Sequence, residues 1–213
     1  MNEFDCVHAD AQLIVARKPS GLLAVPGLGP NGQDCLSARV QARFGDARVV
    51  HRLDMSTSGL MLFARGTAAQ RVLSQAFAAR AVQKGYIAVV AGCPAAPEGE
   101  IDLPLSADWP NRPRQQVDRL AGKPSLTRWR VLGPAGDDAT RLALNPVTGR
   151  AHQLRVHLLA IGHPILGDAL YAPPQVRARS ERLLLHACSL AFAHPFDGAP
   201  MAFQDLVPWE GGH

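Results

Sequence analysis

Val50-His51-Arg52-Leu53-Asp54-Met55-Ser56-Thr57-Ser58-Gly59-Leu60 is the stretch on which the reading of this chain turns. It places one carboxylate, Asp54, directly after a strand-like run from Asp46 to Leu53 and just before a Thr-Ser-Gly turn. The run from Leu60 to Arg65 then reads as a second strand, so Asp54 falls at a chain reversal. A reactive group is well placed there, because a rigid scaffold can present an otherwise irregular segment. A solitary turn Asp more often only hydrogen-bonds its own backbone. The weight therefore rests on its surroundings.

Working outward, strands are expected at Leu13 to Lys18, Arg48 to Leu53, Leu60 to Arg65, Tyr86 to Ala91, Thr127 to Leu132, Thr140 to Asn145 and Leu183 to Ala193. Asp34 to Phe44 reads as a helix with a carboxylate at its start. Thr67 to Arg80 reads as another, with Thr67 as N-cap and Val72, Leu73, Ala76 and Phe77 in one apolar stripe. A third begins near Thr148 or Gly149 and ends at Gly162, a residue suited to the left-handed position after a helix. The Pro-rich stretch from Cys93 to Glu100 reads as a connection inside one domain. The pattern predicts an α+β fold, a mostly antiparallel mixed sheet with peripheral helices.

The 213 residues, 47% of them hydrophobic, suffice for one compact domain, residues 1–213. No apolar run approaches the ~18 residues of a membrane span. Met1 to Asp10 carries three acidic residues and no signal-like apolar core, so a cytoplasmic location is expected. Cys6, Cys35, Cys93 and Cys188 lack Cys-x-x-Cys spacing, and His152 and His157 are five apart, wrong for two ligands on one helical face. No metal site is expected.

A net charge of +4 and a pI near 9.2 favour a polyanionic partner. All but three of the 22 basic residues are Arg, which grips phosphate bidentately and stacks on bases. Codon bias explains that ratio equally well. The clustering says more: Arg112 and Arg114, then Arg119, Lys123, Arg128 and Arg130, fall in a loop and the strand after it. Arg112 and Arg114 are the expected RNA-binding pair, against the plain alternative of a solvated face.

The string HRLDMSTSGL resembles the signature of the RluA family of pseudouridine synthases, and further blocks follow in family order. They are Lys18-Pro19-Ser20-Gly21-Leu22, Lys84-Gly85-Tyr86 with Ala88 and Gly92, Gly122-Lys123-Pro124 through Thr127, Thr148-Gly149-Arg150-Ala151-His152-Gln153-Leu154-Arg155-Val156-His157, Gly162 to Asp168, and Leu184-Leu185-His186-Ala187. The segment Asp108 to Pro113 is most similar to the RluA subgroup itself, whose members modify large-subunit (23S) rRNA and a tRNA anticodon loop. One departure is visible, since Ala16-Arg17 stands before Lys18 where Asn is usual.

The resemblance implies conversion of uridine to pseudouridine within RNA. The C1′–N1 bond breaks, uracil turns, and C1′ is rejoined at C5. Nothing is oxidised and nothing is lost, so neither cofactor nor metal is implied. Asp54 is implied as the catalytic carboxylate, with attack at C1′, addition at C6 and removal of the 2′ proton all open to it. Arg155 is implied as the cation that keeps such a carboxylate ionised in a closed pocket. Tyr86 would stack on uracil and could accept the C5 proton. The target base must be flipped out, at a cost of a few kcal/mol. Arg52 is the implied wedge, unless it and His51 merely fix the loop by hydrogen bonding. His51, Leu185 and His186 are expected to support the pocket.

Many relatives carry an N-terminal S4-type RNA-binding domain, and with 17 residues before Lys18 none is expected here. The expected protein is a monomer that binds 23S rRNA and/or tRNA. Other chemistries fit less well. Asp54-Met55-Ser56-Thr57 lacks the second carboxylate of an aspartyl phosphotransferase, and Val117 stands where a P-loop ending at Gly122-Lys123 needs Gly. The alternative from another class is a non-catalytic RNA-binding or RNA-folding protein on the same scaffold.

Overall fold

The computed structural model describes residues 3–29 and 32–209. In chain order the first elements are β1 (Asp5–Ala9), β2 (Leu13–Lys18), α1 (Leu36–Arg43), β3 (Ala47–Val49), β4 (Ser58–Arg65), α2 (Gly66–Ala78) and β5 (Gln83–Ala91). Next come β6 (Glu98–Asp102), β7 (Leu105–Ala107), β8 (Gln115–Val117), β9 (Leu126–Pro134) and β10 (Ala139–Pro146). The last are α3 (Gln153–Ala160), α4 (Pro174–Arg177), β11 (Leu185–Ala193) and β12 (Pro200–Gln204). The fold is α+β, sheet with peripheral helices. The chain divides into two compact units, one holding the residues up to Lys84 and from Ala187 onward, the other Gly85–His186.

The first unit is organised by β4. It pairs antiparallel with β2, from Leu13 opposite Ala64 to Lys18 opposite Gly59, and with the short β3. β1 extends the sheet beyond β2, and β12 lies antiparallel to β11. Because successive side chains of a strand point to opposite faces, the apolar run of β4 feeds two cores. Leu60, Leu62 and Ala64 join Leu13, Val15 and the α2 residues Ala69 and Leu73. Met61 and Phe63 join Ile14, Ala16 and the α1 residues Leu36 and Val40. A strand buried on both faces must carry an unbroken apolar run, and β4 does. Gly59, at φ +116°, sits where an added Cβ would lie 2.3 Å from the Ala187 carbonyl oxygen. Only glycine fits.

The second unit is an antiparallel sheet in the order β5-β10-β9-β6. Ala88, Val90, Leu142, Leu144 and Ile101 line one face, and Leu154 and Leu158 of α3 pack into it. The two-stranded β7-β8 hairpin rests on the outer side of α3, where Leu105, Val156 and Tyr171 form a small core with Val117 and Leu159.

Several elements differ from expectation for local physical reasons. β3 stops at Val49 rather than continuing to Leu53. α2 begins at Gly66 with Arg65 at the cap, so Thr67 is already inside the first turn and caps nothing. Its buried side is Ala69 and Leu73 with Ala76 and Phe77 against the core, while Val72 is exposed. α3 starts only at Gln153, because His152 adopts a left-handed conformation and the residues before it form a turn. Gly162 does take a left-handed conformation after α3. The stretch expected as a connection turns into strand β6 at Glu98, and β1, β7, β8 and β12 had no counterpart in the sequence reading.

Candidate active site

Asp54 lies half-buried in an irregular segment between β3 and β4. Its carbonyl accepts the Thr57 N–H at 3.1 Å, closing a tight turn over Met55 and Ser56. Leu53, Thr57 and Ser58 are buried and anchor the turn on either side. A second segment, Lys18-Pro19-Ser20-Gly21-Leu22, grips the turn from outside. The Gly21 N–H donates to the Met55 carbonyl at 2.9 Å, the Ser20 hydroxyl to the Ser56 carbonyl at 2.7 Å, and Lys18 Nζ to the Met55 carbonyl at 2.9 Å. Lys18 is wholly buried, and its ammonium also donates to the Pro19 and Leu22 carbonyls at 2.9 and 2.7 Å. A buried charge is tolerable only when hydrogen-bonded in this way. The two motif segments thus form one clasp, and the carboxylate is held at its edge.

His51 lies just past the end of β3. Its Nε2 accepts the Leu62 N–H at 2.9 Å, one residue along β4 from Phe63, the partner of Val49. The imidazole stacks on Phe77 with 4.6 Å between ring centres. Burial, with a smaller contribution from the Lys84 charge, pushes its pKa down to about 3. The ring is therefore neutral at physiological pH, with Nε2 the acceptor and the proton on Nδ1. Arg52, next to it, is exposed and makes no hydrogen bond or ion pair among the described residues. Of the two, His51 is the one that fixes the loop.

In the second unit Arg155 is 3% exposed although it stands on a helix. Its Nε and a terminal nitrogen meet the two oxygens of Asp168 at 2.8 and 2.6 Å, a bidentate pair of two buried groups. Asp168 also accepts the N–H groups of Leu170 and Tyr171 at 2.9 and 3.2 Å. Tyr86 is half-buried on β5, opposite Leu144 of β10 and against the apolar core. Leu185 and His186 are buried at the start of β11.

The turn before α3 is set by Gln153, a residue the sequence reading did not single out. Its Oε1 accepts from the Thr148 hydroxyl at 2.7 Å and the Arg150 N–H at 3.0 Å, while its Nε2 donates to the Leu126 carbonyl and to Thr127 Oγ1, each at 3.0 Å. His157 continues the chain of bonds. Its Nε2 must donate to the Leu103 carbonyl at 2.9 Å, so Nδ1 accepts from the Thr127 hydroxyl at 2.9 Å. Burial lowers the His157 pKa, which suits a neutral structural histidine. Gln153, Asp168, Lys18 and Tyr171 were the polar residues missed. For Gln153, Asp168 and Lys18 the signal available was their place inside the quoted motif blocks, whereas Tyr171 lies outside all of them.

The Arg cluster divides. Arg128 and Arg130 on β9 stand opposite Glu100 and Glu98 of β6, and Arg128 bonds Glu100 at 2.7 Å. Arg112 and Arg114 are instead carried by the loop between β7 and β8, where Asn111 bonds back to the Asp108 carboxylate at 3.0 Å. The Arg112 guanidinium lies 3.4 Å from the ring centre of Trp109, which is 67% exposed. Among the described residues no trio of His, Cys, Asp or Glu is arranged to hold a metal ion, and no helix is long and apolar enough to cross a membrane.

The segment holding the clasped carboxylate turn, the double-faced strand β4 and most of the second unit matches, over residues 12–160, the family described as RNA pseudouridylate synthase. The chain belongs to that family, whose activity is the isomerisation of uridine in RNA. It is 50% identical over 199 residues to the dual-specificity RNA pseudouridine synthase RluA of Pasteurella multocida, a match covering 93% of this chain and 91% of that protein. The protein of the same name from Escherichia coli strain K12 is 48% identical over 198 residues, covering 93% and 90%. Among solved structures, Human RNA Pseudouridylate Synthase Domain Containing 1 superposes with a TM-score of 0.79 at 29% identity, over 96% of this chain and 84% of that one. Human RNA Pseudouridylate Synthase Domain Containing 4 gives 0.76 at 25% identity, over 96% and 88%.

Proposed function

We propose that this chain isomerises one uridine in a structured RNA, a 23S rRNA hairpin and/or a tRNA anticodon stem-loop, with Asp54 as the catalytic carboxylate. Residues 1–213 act as a single catalytic domain, in the cytoplasm, as a monomer, without metal or cofactor. Asp54 acts on the nucleotide as C1′–N1 breaks and C1′–C5 forms. Tyr86 stacks on the uracil and its hydroxyl takes the C5 proton. Arg155 supplies the positive charge that an ionised carboxylate needs in a water-poor site. Arg52, exposed and without a bond to the loop it stands on, fills the place of the flipped base. Arg112 and Arg114 hold phosphates. His51, Leu185 and His186 support the pocket.

The observation that carries this reading is the clasp. Three hydrogen bonds, from Lys18, Ser20 and Gly21 of one motif to the Met55 and Ser56 carbonyls of the other, hold the turn after Asp54, which a solvated surface loop would not require. The test is Asp54→Asn and Asp54→Ala, assayed for pseudouridine in purified rRNA and tRNA substrates. Both variants should lose turnover while RNA affinity stays within a few-fold. Clear turnover by the Asn variant sinks the assignment. A wild-type protein that binds RNA but forms no pseudouridine on either RNA leaves the binding-protein alternative.

A further inference from the structure

Tyr171 has no part in the reaction as described, yet it is 6% exposed and more heavily bonded than packing requires. Its hydroxyl accepts the backbone N–H of Gln115, the first residue of β8 and the neighbour of Arg114, at 2.8 Å. The same oxygen lies 2.6 Å from Nδ1 of His152, the left-handed residue immediately before α3. Its ring carries the Arg155 guanidinium at 4.9 Å from the ring centre and the Arg114 guanidinium at 5.4 Å. Its own N–H is held by Asp168, the carboxylate that also binds Arg155. Two cations on one ring, with the ring in a core shared by the hairpin and α3, make Tyr171 the common contact of both.

We propose that Tyr171 is a positioning residue that couples the hairpin bearing Arg112 and Arg114 to the Arg155–Asp168 pair, so that RNA seated on the hairpin sets the Arg155 guanidinium for reaction. The inference rests on the reading given above, that the hairpin binds RNA and that Arg155 serves the chemistry. A packing residue would bury the ring and one hydroxyl bond. This one spans the base of an exposed RNA-facing loop and a fully buried cation, and each bond it makes fixes one of those two ends. Displacement of a catalytic group by about 1 Å can cost on the order of a hundredfold in rate, so modest loosening is readable.

The experiment is a double-mutant cycle between Tyr171→Phe and the pair Arg112→Ala with Arg114→Ala. Single-turnover rate at saturating RNA, RNA affinity and melting temperature are read for each protein. Phe keeps the ring and the core and removes only the hydroxyl. Its saturating rate should fall about tenfold with affinity within about threefold of wild type. The hairpin substitutions should weaken binding and also slow the saturating rate in the wild type, but add little further slowing once Tyr171 is Phe. Independent, multiplying effects on rate overturn the coupling, as does an unchanged rate in Tyr171→Phe. If the hairpin substitutions leave RNA affinity untouched, the underlying reading of the hairpin fails and the coupling falls with it. Should Tyr171→Phe melt early, His152→Asn tolerates the left-handed backbone, removes the hydroxyl's contact next to α3 while leaving its bond to Gln115, and should likewise slow the saturating rate.

Discussion

At the scale of single residues, the polar side chains with most influence are those that burial would seem to penalise. Lys18 is enclosed, and each of its three donors finds a carbonyl. Lys18→Met would leave the Pro19 and Leu22 carbonyls without this donor and the Met55 carbonyl with the Gly21 N–H, at roughly 2–4 kcal/mol of stability. The turn would keep the Gly21 and Ser20 bonds. Urea denaturation should therefore show the loss plainly, with the catalytic rate of the folded variant changing much less. A large rate defect at wild-type stability contradicts this account. His51 gives a pH dependence. Its pKa is about 3 in the folded chain against an ordinary 6.5, so the unfolded state binds the proton more readily. The neutral ring's contribution is complete above about pH 6.5 and erodes as pH falls from there toward about 3. His157, also lowered by burial, adds with the same sign. The fall in melting temperature between pH 7 and pH 5 should be shallower in His51→Gln than in wild type, and equal slopes would show that His51 titrates normally.

At the scale of elements, strand pairing decides which basic residues remain for a partner. Arg128 and Arg130 face acids across the β6–β9 pairing, whereas the β7–β8 loop holds Arg112 against exposed Trp109 and Arg114 against Tyr171. Each phosphate contact contributes a slope of about 0.9 in the logarithmic dependence of affinity on salt. Replacing Arg112 and Arg114 together should weaken binding to every RNA tested and flatten that slope by about two. Replacing Arg128 and Arg130 should change it far less. The measurement is a salt titration of RNA affinity, and an unchanged slope in the first double variant returns the hairpin to an ordinary solvated surface.

At the scale of the whole molecule, the relevant quantities are a net charge of +4 and 213 residues of catalytic-family chain. Such a surface can grip a small RNA element, and base flipping is cheapest where the loop is already partly unstacked. Synthetic stem-loops of the anticodon and 23S rRNA kinds should each be modified at one uridine, with efficiency within about tenfold of the intact RNA, a difference of ~1.4 kcal/mol. The reaction should proceed in excess EDTA with no added nucleotide, since an isomerisation needs neither redox partner nor activated group. Reaction only with full-length rRNA or assembled particles contradicts the dual-substrate reading. Activity lost to EDTA and restored by zinc alone, with the RNA fold intact, contradicts the metal-free one.

What could be read from the chain by itself was whatever neighbours in sequence decide. The apolar run of β4, the left-handed Gly162, the turn at Asp54 and the α+β class all follow from side-chain periodicity and backbone preference over a few residues. The family motifs marked the candidate site residues, and the clasp, the neutral His51 and the buried Arg155 are where those motif positions lie. The tertiary structure alone decided that the His51 imidazole takes the N–H of Leu62, 11 residues away in sequence. It alone decided that Lys18 reaches the turn 37 residues on, that Arg155 is buried on Asp168, and that two of the six basic residues of the cluster, Arg128 and Arg130, stand opposite acids of β6. Periodicity and turn chemistry are local properties. The partner of a buried polar group is set by contacts between segments far apart in the chain, and those exist only once the sheet and its helices have packed.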